Sequence, residues 1–272
     1  MILIILGFIV GTLGTLVGVG GGFILLPVLL TIYPEKPHEV LTAITLVIGF
    51  INSSTGALAH RGSGRIDFKS GFIFAAATVP ASVLGTYLTT YLPVTLFQII
   101  LGIVMVMVSV LMFISNTDRK KEKNVKKTRS KFIMEKNFSK GDGTKEEWSY
   151  DIRVGVVCSA IAGFISSLVG LAGGVFHIPL MIRILGFPVL VAAATSQFVV
   201  IFSCLSGTIT NIISGAIKGG VITAITISLG VVPGAFFGAS ISKRMKNIWI
   251  IRIFAVLLMI AALKIIISGV AR

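Results

Sequence analysis

The 272 residues are 55% hydrophobic and only 12% charged, which excludes an ordinary soluble domain. A formal net charge of +14 invites a nucleic-acid partner, but 11 of the 24 Lys and Arg crowd between Arg119 and Lys145. Basic residues gathered in one polar stretch mark a cytoplasmic loop of a membrane protein, so no nucleic-acid role is expected.

Residues 1–33 form one apolar run. As a straight helix it would measure about 50 Å at ~1.5 Å per residue. The hydrocarbon core is only about 30 Å thick. The run must tilt, protrude or turn back, and Gly20-Gly21-Gly22 is where a turn costs least. It opens without a basic n-region or an Ala-x-Ala-like site, so it is expected to be retained. After the polar link Pro34–Glu39, apolar spans read as 40–59, 70–91 and 94–115. Residues 116–150 are rich in Lys, Ser, Gly and Asn and read as a solvated, largely flexible linker. The plan then recurs, with an interrupted run at 152–186 and spans at 188–214, 219–242 and 247–270. The expected domains are a transmembrane repeat over 1–115, a basic cytoplasmic linker over 116–151 and a second repeat over 152–272.

The recurrence is visible in the residues. Thr15–Pro27 is echoed by Ser167–Pro179, 152 positions later, with Gly18, Gly21, Gly22 and Pro27 falling on Gly170, Gly173, Gly174 and Pro179. Pro80-Ala-Ser-Val-Leu-Gly85 matches Pro233-Gly-Ala-Phe-Phe-Gly238 at a separation of 153. Inside a helix each Gly costs roughly 1 kcal/mol and each Pro about 3 relative to Ala. Two such interruptions at equivalent places point to broken helices meeting at a site within the membrane. The expected fold is an all-α polytopic membrane protein of two homologous repeats, each with a Gly-rich broken or re-entrant first segment. If both interrupted runs cross fully, Lys and Arg divide 17 to 5 between the two sides; if both turn back, they divide 19 to 3. By that small margin the positive-inside rule favours inverted repeats.

A broken helix leaves backbone N–H groups unpaired at its restart, where its dipole adds positive potential. Half-helices beginning near Gly22 and Gly174 would form a paired anion cradle from Gly20, Gly21, Gly22, Gly173 and Gly174. Close helix packing is the competing explanation, and it suits Gly18 and Gly170 better. All ten Asp and Glu fall in predicted loops or at segment edges, so no carboxylate stands ready for a cation. His177 is the one histidine deep in a predicted segment, a candidate anion or proton group with a carbonyl-bonded structural role as the alternative. Thr45, Asn52 and Ser53, with the run Thr195-Ser196-Gln197, are candidates to line the cavity, though interhelical hydrogen bonding explains such groups equally well. Cys158 and Cys204 have no metal-like or redox spacing. No metal, cofactor or catalytic residue is expected. The partners are a small anionic substrate and the lipid bilayer, with homo-oligomerisation left open.

Together these elements resemble a known family. The doubled Gly-x-Gly-Gly-Gly-x-x-x-x-Pro-like element, Ala194-Thr195-Ser196, the His60…Gly64-x-Ile66-Asp67 loop and the two Pro-x-x-x-x-Gly elements are similar to those of the sulfite exporter TauE/SafE family. The resemblance covers nearly the whole chain except the linker. It implies an inner-membrane carrier for sulfite or small organic sulfonates, with direction undetermined. The leading reading is a secondary carrier that works by movement of one repeat against the other around the glycine cradles. Two departures make the site asymmetric: Leu46 stands where the first Thr-Ser-like element would have serine, and Ala172 replaces one glycine of the second cradle. A passive anion channel is the alternative within transport. An intramembrane hydrolase is the rival from another class, but Ser206-Gly207, Ser214-Gly215 and Ser268-Gly269 all lack the preceding Gly of a nucleophile turn. A scaffold without transport would leave the duplicated breaks unexplained.

Overall fold

The computed structural model describes residues 1–61, 64–113, 132–139, 145–242 and 247–270. The first half runs α1 (Ile2–Val17), α2 (Gly22–Ile32), α3 (His38–His60), α4 (Phe68–Thr89) and α5 (Val94–Phe113). A hairpin of β1 (Ile133–Ser139) and β2 (Lys145–Asp151) follows. The second half runs α6 (Ile152–Leu168), α7 (Gly174–Arg183), α8 (Val189–Ile213), a 3-10 turn at Ala216–Gly219, α9 (Val221–Ser242) and α10 (Asn247–Val270). Helices α3, α4, α8 and α9 are each long and apolar enough to cross a membrane. Both interrupted runs break where glycine accumulates, and α2 and α7 restart at Gly22 and Gly174 as expected.

Helix packing follows the small residues. A Cβ on Gly7 or Gly11 of α1, or on Gly230, Gly234 or Gly238 of α9, would lie within 2.4 Å of a carbonyl oxygen on the opposite helix. Glycine at these five places lets the two backbones touch, the close approach that holds helices together where lipid removes the hydrophobic drive. In the other half α6 lies along α4, with Gly155 on Phe74 and Gly163 on Thr78. The first helix of each broken pair thus rests on the fourth helix of the opposite half. At the centre α3 and α8 cross antiparallel: Gly56 faces Gln197, Gly49 faces Cys204 and Gly207 faces Leu46.

The loops sort to two faces. His38 Nε2 lies 3.1 Å from the Thr89 carbonyl, and Lys36 Nζ donates to the Gly219 carbonyl at 2.9 Å. These contacts gather the 33–38, 89–94 and 214–220 connections at one end. Residues 64–67, the 184–188 turn and the hairpin gather at the other, through Lys136 Nζ on Asp67 Oδ1 at 2.8 Å and Trp148 beside Phe187.

The hairpin corrects the all-helical expectation and that of a flexible linker at 133–139 and 145–151; the basic residues from Arg119 to Lys131 lie outside the described residues. Met134 pairs with Tyr150 and Lys136 with Trp148, so these four share one face. That face docks. Tyr150 packs against Phe74 and Phe187, and its hydroxyl meets Ser70 Oγ, which donates to Asp67. Burial pushes the Tyr150 phenol up to about 12, so it stays neutral. The polar composition had concealed a period-two pattern that becomes stable only against the helices.

Candidate substrate site at the two helix breaks

The two breaks meet at mid-depth, between α3 and α8. In the first, α1 ends on Gly18, and Gly20 and Gly21 hold positive φ of 84° and 81°. The chain doubles back: a Cβ on Gly21 would lie 3.0 Å from the Val10 carbonyl oxygen and 3.1 Å from Asn52 Nδ2. In a continuous helix, residues 10 and 21 would stand about 16 Å apart. The second break repeats this turn with Gly170, Ala172 and Gly173 at positive φ. The breaks touch, since a Cβ on Gly22 would meet Ala172 Cβ at 2.9 Å and one on Gly174 would meet Val19 Cα at 2.5 Å.

This crossing leaves donors without acceptors. Among the described residues no backbone carbonyl takes the N–H of Gly20, Gly21 or Gly22, nor that of Ala172 or Gly173. Asn52 receives the Thr15 hydroxyl on its Oδ1 at 2.7 Å, which fixes the amide with Nδ2 unpaired. The hydroxyls of Ser53 and Ser203 are likewise unpaired. Ser53 Oγ would lie 2.9 Å from a Cβ on Gly20, and Ser203 Oγ 3.4 Å from one on Gly173. Asn52, Ser53 and Ser203 are all 0% exposed, so each orphaned donor carries a desolvation cost of about 1–3 kcal/mol. The buried polar set among the described residues contains no carboxylate. Chemically, the arrangement offers neutral donors to an anion.

Of the residues singled out from sequence, Gly20, Gly21, Gly22, Asn52, Ser53 and Gly173 converge here. Gly174 forms the contact between the breaks rather than a wall open to substrate. Thr45 donates to the Gly170 carbonyl at 2.8 Å and so fastens the second break to α3. His177 places Nδ1 3.0 Å from the Gly173 carbonyl and Nε2 3.3 Å from Thr78 Oγ1, between α4 and its own helix. Thr195 accepts the Asp67 N–H at 3.0 Å, and Gln197 lies against Gly56, so both sit toward the hairpin face. Ser196 is buried with its hydroxyl unpaired. Ser203 belongs with the converging group. Its signal was available: Pro37 and Pro188 cap α3 and α8 alike, which places Asn52 and Ser203 at matching positions.

A cleft of about 790 Å³ opens beside the hairpin. Asp67, Glu135 and Glu147 outnumber Arg65 and Lys136 in its lining, which disfavours an anion. Volume alone does not locate the chemistry.

The model of the family described as "Sulfite exporter TauE/SafE" matches residues 3–265. A Bacillus subtilis protein named "Probable membrane transporter protein YunE" is 28% identical over 280 residues, covering 99% of this chain and 98% of its own. A probable membrane transporter protein of Methanocaldococcus jannaschii is 28% identical over 212 residues, 76% of this chain and 70% of its own. Another from Bacillus subtilis, named YdhB, is 23% identical over 250 residues, 91% of this chain and 92% of its own. No solved structure matches. These matches span the helices and both breaks, and the apolar helices are those of a multi-pass membrane transporter rather than an enzyme. The chain belongs to the sulfite exporter TauE/SafE family.

Proposed function

We propose that the chain is a secondary carrier, in the inner membrane, for a small sulfur-containing anion such as sulfite or an organosulfonate. The observation that carries this reading is the buried set of unpaired donors: the N–H groups of Gly20–Gly22, Asn52 Nδ2 and the hydroxyls of Ser53 and Ser203. Neutral donors at helix restarts suit an oxyanion, and the family's description supplies its sulfur chemistry. Because these donors are sealed from both faces, substrate enters only if the protein moves. That favours a carrier over an open channel.

Two features support inverted repeats with re-entrant breaks. Antiparallel crossing of α3 and α8 is what an axis in the membrane plane would produce. The α1–α2 pair begins and ends toward the 33–38 face, and the α6–α7 pair toward the hairpin face. The hairpin face, with Arg61, Arg65, Lys69, Arg153 and Arg183, is then cytoplasmic. The moving bodies are composite, α1 travelling with α9 and α6 with α4, rather than one whole repeat against the other.

The test is flux of labelled sulfite into proteoliposomes, with and without a pH gradient, competed by sulfate, thiosulfate and a small sulfonate. Saturable uptake blocked by one competitor is expected. Absence of flux for every sulfur anion, from protein shown to be folded, would refute the substrate class.

A further inference from the structure

The α4–α8 seam and its counterpart between α9 and α3 are filled differently. On the first, Phe68, Phe72, Phe198 and Phe202 form a ladder with ring centroids 5.0–5.9 Å apart. The shift of 153 between Pro80 and Pro233 carries Phe68 and Phe72 onto Val221 and Ile225. The shift of 151 between Pro37 and Pro188 carries Phe198 and Phe202 back onto Val47 and Ile51. All four of these smaller residues line an apolar groove of about 570 Å³. The groove lies where the other seam carries its four phenylalanines.

Its depth and its mouth say what fits. The lining runs along α9 from Val221 to Pro233, about 18 Å at helical rise. That is close to the thickness of one leaflet, half of about 30 Å. Ser228 is the one polar side chain in the lining, and its hydroxyl is spent on the Ala224 carbonyl. At the mouth, Ile217 leads into exposed Lys218, and Lys36 reaches across to the Gly219 carbonyl at 2.9 Å. Among the described residues neither lysine lies within 4.0 Å of a carboxylate, although Glu35 adjoins Lys36. Few other basic residues share this face, so two lysines at the groove mouth stand out.

We propose that this groove is a binding site for an anionic phospholipid, one acyl chain lying between α3 and α9 with its phosphate between Lys36 and Lys218. The site is independent of what the protein carries. The purified full chain would be equilibrated with mixed micelles of phosphatidylglycerol and phosphatidylcholine and its retained lipid counted by native mass spectrometry. Wild type should retain phosphatidylglycerol with a preference of about 30-fold, the effect of two lysines at a membrane surface. K36Q/K218Q should lose the preference, and V47F/I225F, which restores two of the four ladder positions, should lose the bound lipid. Equal retention of both lipids by wild type would overturn the proposal. So would lipid retained undiminished in V47F/I225F, or a dimer that cross-links through Leu229→Cys with the groove sealed between copies.

Discussion

The two helix breaks share a backbone path but are stabilised by different means. The first turns through Gly20 and Gly21, where absence of side chains makes the left-handed conformation free of strain. The second forces Ala172 to φ 58°, a conformation costing an L-residue about 1–2 kcal/mol. Side-chain hydrogen bonds offset that strain. Thr45 holds the Gly170 carbonyl, while Ser166 and His177 share that of Gly173. Among the described residues no side chain fastens the glycine carbonyls of the first break, and unpaired donors lie beside it. On the proposed reading the second break is the more firmly anchored of the two, and the first contributes the larger share of the unpaired donors, with Ser203 adding one at the second.

The largest test of this contrast removes the contact between the breaks. Gly174→Val would drive its Cβ into Val19 backbone at 2.5 Å, with no flexible side chain to yield. Transport should fall below detection in protein that still inserts; wild-type flux would end the idea that the breaks must touch. Next comes Asn52→Leu, which deletes the Nδ2 donor at the first break. A lost hydrogen bond to an anion, about 1.5–3 kcal/mol, should weaken apparent affinity about 10- to 100-fold. Ser203→Ala at the second should cost less, and an equal or reversed order in competition flux assays would contradict the assignment.

His177→Ala addresses the anchor. It strips one of two donors from the Gly173 carbonyl and should lower stability by about 1 kcal/mol, with the pH profile of transport unchanged. A displaced profile would instead make His177 a titrating part of the carrier cycle. The smallest effect is expected from Ala172→Gly. Relief of the strained φ should raise stability by about 1 kcal/mol, or Tm by about 2–4 °C in a protein of this size. A fall would mean that the Ala172 methyl, packed against Gly22 and Gly49, contributes more than its backbone costs.

Much of this was legible in the chain because the bilayer enforces it. Apolar runs of fixed length and glycine clusters that interrupt them gave the helices and the restarts at Gly22 and Gly174. The partners of those helices were not legible. Gly7 and Gly11, Gly155 and Gly163, and Gly230, Gly234 and Gly238 present similar small-residue stripes, and spacing does not say which stripe meets which. Thr195 and Asn52 looked alike as polar groups within spans, yet one bonds the Asp67 loop and the other faces the breaks. The hairpin escaped notice because Trp148 and Tyr150 sit among Lys, Glu and Ser, and their burial depends on Phe74 and Phe187, far away in sequence.

The exchange of partners, α1 on α9 and α6 on α4, has a consequence for assembly. Neither half can bury its own small-residue stripes, so neither is a complete folding unit. During synthesis α1 must wait in the lipid for a helix made some 220 residues later, and its glycine face is open to unrelated helices until then. Severing the chain between Phe113 and Phe132 should yield two fragments that are unstable apart and recover one another when co-expressed. Covalent continuity would supply only proximity, while the interleaved helices supply the specificity.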